Sequence, residues 1–191
     1  MADRPLALIF TGHMVDKPDR KDARFPKELV EAAAREIERR IARLTAGRSK
    51  DKVEGFASLA RGGDILFHEI CRAHGFLTTI VLPFAPQLFL KTSVEGAEGG
   101  DWPKRFERLW DETPPDRRHD LSLPQSDEAY GLCNDFLLDL AQKAGEPQVI
   151  ALWDGSGGDG PGGTADFVER VQKAAGLTPE IIDPKTLDRV S

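Results

Sequence analysis

Apolar positions along the chain follow two alternating periods. Residues 5–11 (PLALIFT), 77–82 (LTTIVL) and 149–153 (VIALW) are short, almost unbroken apolar runs. That is the pattern of strands buried on both faces of a parallel sheet. Residues 52–59 (KVEGFASL) make a weaker strand with Glu54 and Gly55 inside it, and 180–182 (EII) a short final one. Between these runs the spacing turns helical. Residues 27–44 place Leu29, Val30, Ala33, Ile37, Ile41 and Leu44 on one face, with Pro26 suited to the first turn and Gly47 as the stop. Ile65, Leu66, Ile70 and Ala73 define a second helix that closes at Gly75. Tyr130, Cys133, Leu137, Leu140, Ala141 and Ala144 define a longer one, N-capped by Ser126 and stopped by Gly145-Glu146-Pro147. Phe167, Val168, Val171 and Ala174 or Ala175 mark a helix over 165–175, with Gly176 just past its end. Strand–helix alternation accounts for the first 83 residues. The pattern predicts an α/β protein with a doubly wound, mainly parallel sheet and helices on both faces.

Residues 84–125 hold neither period for long. They contain Ser93-Val94-Glu95, the glycine-rich 96–100, and one short helix over 102–110 bearing Trp102, Phe106, Leu109 and Trp110. A connection of this length often acts as a lid or binding segment; alternatively the aromatic residues cover one edge of the sheet. No repeat or linker divides the chain, so the expectation is one domain over 1–191 with a lid-like insertion at about 84–125.

Composition narrows the function class. A chain of 191 residues, 40% apolar and 30% charged, is ordinary for a globular protein with a sizeable core. No apolar run approaches the roughly 18–20 residues of a membrane span, and the first residues lack the apolar stretch of a signal peptide. A cytoplasmic protein without membrane contact is expected. Cys71 and Cys133 fall inside predicted helices and read as reduced core residues. A net charge of −6 argues against nucleic-acid binding. The basic excess around the first helix, at Arg35, Arg39, Arg40, Arg43, Arg48 and Lys50, reads as a solvated face.

Candidate chemistry gathers at strand ends. Residues 154–164 (DGSGGDGPGGT) hold six glycines in eleven positions between a strand and a helix. Strand, glycine loop and helix together present unpaired backbone N–H groups and the positive end of a helix dipole to an anion. Gly162 and Gly163 allow close approach, and the Thr164 hydroxyl can donate. Gly62-Gly63-Asp64 opens another helix in the same way. In an open α/β sheet, ligands bind outside the carboxyl ends of the strands, where strand order reverses. Four such ends are marked: Gly12-His13-Met14, Ser58 with Gly62-Gly63-Asp64, Pro83-Phe84, and Asp154-Gly155 with Gly162-Gly163-Thr164. They form the expected nucleotide site, with Asp64 or Asp154 accepting ribose hydroxyls and Phe84 stacking on a base. Asp64 also fits a plain helix-dipole role and His13 a hydrogen-bonded structural one; Asn134 reaches either the cleft or solvent. A G-x-S-x-G elbow, a P-loop Lys-Ser/Thr, G-x-G-x-x-G and metal-ligand spacing among the histidines are all absent. No metal or cofactor is expected.

In their order along the chain, FTGHMVD, RFP, ASLARGGDILFHEIC, VLPF, SVE before Trp-Pro-x-Arg-Phe, and ALWDG with GPGGTADFV resemble the SLOG superfamily. That group joins the DNA-processing protein DprA, the LOG-type phosphoribohydrolases and stand-alone proteins such as YpsA. The chain is similar over about residues 5–175 to versions found beside tetratricopeptide, cyclase or TIR modules of bacterial signalling and defence proteins. The resemblance implies a Rossmann-like fold that binds or senses a nucleotide or nucleotide-derived ligand, and a homo-oligomer, a dimer first. Gly162, Gly163 and Thr164 match the phosphate-binding turn, and Gly62, Gly63 and Asp64 a second ligand-facing turn. LOG enzymes carry P-G-G-x-G-T-x-x-E. Here Pro161-Gly162-Gly163-Thr164 lacks one glycine, and Phe167 stands where the glutamate would be. If the chain is instead an N-glycosidase, Asp166 or Glu169 assists departure of the base and Asp154 stabilises ribosyl charge. A third alternative is an interaction module for DNA or protein that uses the basic first helix.

Overall fold

The computed structural model describes residues 4–157 and 160–188; Gly158 and Asp159 of the glycine loop lie outside the described residues, as does the side chain of Ala174. Six strands run parallel in one sheet: β1 (Leu6–Gly12), β2 (Val53–Ala57), β3 (Leu77–Leu82), β4 (Arg118–Asp120), β5 (Glu146–Leu152) and β6 (Glu180–Ile182). Their order across the sheet is β4-β3-β2-β1-β5-β6. The chain therefore builds outward from β1 in one direction, then returns to lay β5 against β1's other side.

Helices cover both faces. On one lie α1 (Val30–Leu44), α2 (Gly63–Ala73) and α4 (Trp102–Glu112), packed with Leu6, Leu8 and Phe10 of β1. On the other, α5 (Asp127–Ala144) and α6 (Thr164–Ala175) pack with Ala7 and Ile9. Successive side chains of β1 thus enter different cores, the period-two consequence of a strand buried on both faces. Cys71 and Cys133 are buried and free, one in each core. Among the described residues no helix is long and apolar enough to cross a membrane.

Most of the segment expected as a lid is built into the body. Pro86–Phe89 form a short helix, α3, continued by a π-helical turn over Leu90–Val94. Trp102, Phe106 and Leu109 of α4 are at most 3% exposed. The segment then adds the edge strand β4 beside β3. Its aromatic residues have enough apolar area to be worth burying, about 1.5–3 kcal/mol for each large side chain. That is why the segment packs instead of hanging over the sheet.

Candidate functional site

The two central strands end in register, Gly12 opposite Leu152, and their continuations leave on opposite faces: β1 toward α1, β5 toward α6. The gap left by this divergence is the topological switch point of the sheet. The loop after β1 is pinned across it. His13 N–H donates to Leu152 O at 2.9 Å, Val15 N–H to Arg61 O at 3.3 Å, and Met14 bridges Gly62. Asp16 Oδ2 accepts the N–H groups of Arg24 and Phe25, each at 2.9 Å. Arg24 Nη2 in turn donates to Gly157 O at 2.9 Å, joining the β1 loop to the glycine loop. These ties frame a cavity of about 300 Å³, at the small end of ligand sites.

Of the residues expected at the site, Gly12, His13, Met14 and Ser58 line the cavity, and so do Asp64, Gly162, Gly163 and Thr164. The strand-end reading therefore brings together residues spread over 150 positions of chain. Gly162 is required there on two counts: its φ is +82°, and a Cβ would fall 2.2 Å from Tyr130 Cβ. Gly62, at φ +94°, lies instead under the β1 loop, where a Cβ would meet Val15 N at 2.8 Å. Gly63 backs onto the Phe10 ring, and Gly155 lies in open space away from the cavity. Gly62 and Gly63 shape the walls without lining them.

Several expected roles are corrected. Phe84 is 1% exposed and packs edge-on against Tyr130, ring centroids 5.2 Å apart, so it has no face to offer a base. Asp166 does not line the cavity; its Oδ2 accepts Gly162 N–H at 2.8 Å and Arg170 Nε–H at 2.7 Å, holding the turn before α6. Glu169 points to solvent and pairs with Lys173. Neither carboxylate is among the residues lining the cavity. Asp154 lies behind His13: its Oδ1 is 2.9 Å from His13 Nε2 and accepts from Ser156, while Oδ2 meets Lys185 Nζ at 2.9 Å. Burial works to raise its pKa, but those hydrogen bonds outweigh it and hold the carboxyl well below the usual range. Its place is orienting His13, not touching ribose.

Asp64 is different. It is 7% exposed and lines the cavity, and among the described residues its only hydrogen bond is from Ala60 N–H at 3.1 Å. Burial pushes its pKa up from 3.8 to about 7, the backbone bond offsetting only part of this. His68, one turn further along α2, is fully buried and donates from Nε2 to Ser58 O at 2.9 Å. Burial brings its pKa down to about 4, so the ring is neutral.

The sequence reading missed the cations. Arg20, Arg24 and Arg61 line the cavity against Asp16, Asp64 and Asp127. Asp64, with its pKa pushed up to about 7, offsets these cations less than an ordinary aspartate would. Asn134, left open between cleft and solvent, is in the wall, where its Nδ2 donates to Gly162 O at 3.1 Å. Arg61 had one signal, its position between a strand end and a glycine turn. The basic face of α1 is largely ion-paired within the chain, Arg39 and Arg40 to Glu36 and Arg40 and Arg43 to Glu180. Among the described residues no group of three His, Cys, Asp or Glu side chains is arranged to hold a metal ion. Comparison of the chain with protein-family models, curated proteins and solved structures returned no match.

Proposed function

We propose that this cavity binds a nucleotide or nucleotide-derived ligand, with a phosphate seated at the N-terminus of α6. One observation carries the reading: the cavity at the β1–β5 divergence is lined by Gly162, the N-cap Gly163 and Thr164, the first residue of α6. The first-turn N–H groups of a helix have no intrahelical acceptor, and the helix dipole favours an anion there. Thr164 is 6% exposed, so its hydroxyl is held at the wall. The buried Arg61 guanidinium in the same wall favours an anionic ligand over a neutral one.

Thermal unfolding against AMP, ADP, GMP, NAD, ADP-ribose and cyclic nucleotides tests this. A ligand at 100 times its Kd that binds only the folded chain adds about 2.7 kcal/mol of stability. The expected result is a shift with at least one of them, reduced in Thr164→Val. No shift with any member of the panel would remove the nucleotide reading.

Hydrolysis of the N-glycosidic bond has one observation in its favour, the Asp64 carboxyl that keeps its proton to about pH 7 in the cavity wall. Such a group is suited to protonating a leaving base. Chromatography for free base, with Asp64→Asn as the control, separates turnover from binding alone.

A further inference from the structure

Arg61 is 4% exposed, lines the cavity, and among the described residues has a single side-chain hydrogen bond, from Nε to Val15 O at 2.9 Å. Its Nη1 is buried with no hydrogen-bond partner, and among the described residues no carboxylate lies within ion-pair distance of it. Asp16 favours the Arg61 cation only from beyond ion-pair distance. Its Oδ2 takes two backbone N–H groups and its Oδ1 faces Arg20 Nε at 3.4 Å. Arginine stays charged at any working pH. Burying an unpaired cation costs several kcal/mol, so a guanidinium left this way in a cavity wall is a seat for an anion.

That seat is distinct from the one at α6. Arg61 precedes α2, which follows β2, while α6 follows β5; the two strands are separated by β1, and the two helices lie on opposite faces. At about 4.8 Å per strand spacing, the two strand ends are roughly 10 Å apart. We propose that the ligand carries two separate anionic groups and that Arg61 receives the second. The class that fits is a single nucleoside with phosphates on two different ribose carbons. A diphosphate, whose phosphorus atoms share one bridging oxygen, is too short to occupy both seats. The 300 Å³ volume favours one nucleoside over two. This inference rests on the nucleotide reading above and goes beyond it to the ligand's charge pattern.

Isothermal titration with adenosine and guanosine 5′-monophosphates, 5′-diphosphates and 2′,5′- and 3′,5′-bisphosphates tests it, on the wild-type chain and on Arg61→Gln and Arg61→Lys. Expected is a bisphosphate that binds wild type at least about tenfold tighter than its 5′-monophosphate and its diphosphate, the scale of one charged hydrogen-bonded contact. Arg61→Gln should erase that gain, weakening the bisphosphate by more than it weakens the monophosphate, and Arg61→Lys should keep part of it. Equal binding of mono- and bisphosphate by wild type overturns the second seat while leaving the nucleotide reading intact, and needs no variant to fold. So does a diphosphate that matches the bisphosphates, or an Arg61→Gln effect equal on all of them. Failure of every nucleotide to bind overturns both.

Discussion

Asp64 and His68 lie four residues apart on α2, and burial has moved their pKa values in opposite directions, the carboxyl up to about 7 and the imidazole down to about 4. In the unfolded chain between about pH 4 and 6.5 the carboxyl is ionised and the ring protonated, so together they hold one proton. In the folded chain the carboxyl is protonated and the ring neutral, again one proton. The slope of stability with pH follows the difference in bound protons, so the pair contributes almost none across this window. Asp64→Asn breaks the balance and keeps an acceptor for Ala60 N–H. The folded variant then holds no proton at His68 while the unfolded chain holds one. Its stability should rise by about 3 kcal/mol from pH 4 to 6.5, at about 1.4 kcal/mol per pH unit. In wild type the raised Asp64 value gives stability that is fully present below pH 3.8 and lost as pH rises through about 7. The variant should therefore match wild type near pH 4 and exceed it above pH 8 by up to about 4 kcal/mol. Urea unfolding followed by tryptophan fluorescence at intervals from pH 4 to 8.5 measures both curves. A variant curve parallel to wild type throughout would mean that Asp64 titrates as it does in water, and would refute the account of its burial.

Two further substitutions test the walls. Gly162→Ala puts a Cβ 2.2 Å from Tyr130 Cβ and 2.7 Å from Gly131 N, on a backbone at φ +82°; a cost of about 2–4 kcal/mol is expected, seen as a Tm lowered by roughly 4–15 °C. Asp154→Ala strips His13, Ser156 and Lys185 of their common acceptor and should cost about 2–4 kcal/mol at pH 7. Because the folded Asp154 value is depressed, its contribution is fully present above about pH 4 and lost progressively in acid, so the gap between denaturant midpoints of variant and wild type should begin to narrow only below about pH 4.

The central strands were legible because strands buried on both faces leave unbroken apolar runs, and the α6 site because glycines between a strand and a helix have few other uses. β4 was not legible. Arg-His-Asp is a three-residue edge strand with no apolar signal, paired to β3 along one side. Phe84 was misassigned because a residue at a strand's carboxyl end faces either the cleft or the layer beneath, and only the position of Tyr130 on α5 decides which. Asp166 and Glu169 sit three apart on α6, and helical spacing alone does not say that one turns back to the Gly162 N–H while the other faces water. Arg61 went unread for a related reason. An arginine beside a turn is ordinarily solvated, and this one is buried because the β1 loop folds over it through Val15 and Met14. That is a contact between positions 46 apart, which local pattern does not carry.

The charge balance of the cavity makes ligand affinity depend on Asp64. Below about pH 7 the Asp64 carboxyl is neutral; above it Asp64 adds a negative charge inside the wall. At a separation of about 8 Å and an effective dielectric of about 20, one added charge repels a ligand anion by about 2 kcal/mol, a loss of about thirtyfold. An anionic nucleotide should therefore bind more weakly to wild type at pH 8 than at pH 6.5, and Asp64→Asn should abolish most of that loss. Phosphate itself gains charge near pH 6, but variant and wild type compared at the same pH share that change, so it cancels. Titration calorimetry at the two pH values gives the difference directly. If Asp64→Asn loses affinity with pH as steeply as wild type, the Asp64 carboxyl is not felt at the anion's seat, and the phosphate lies nearer α6 than the charge balance implies.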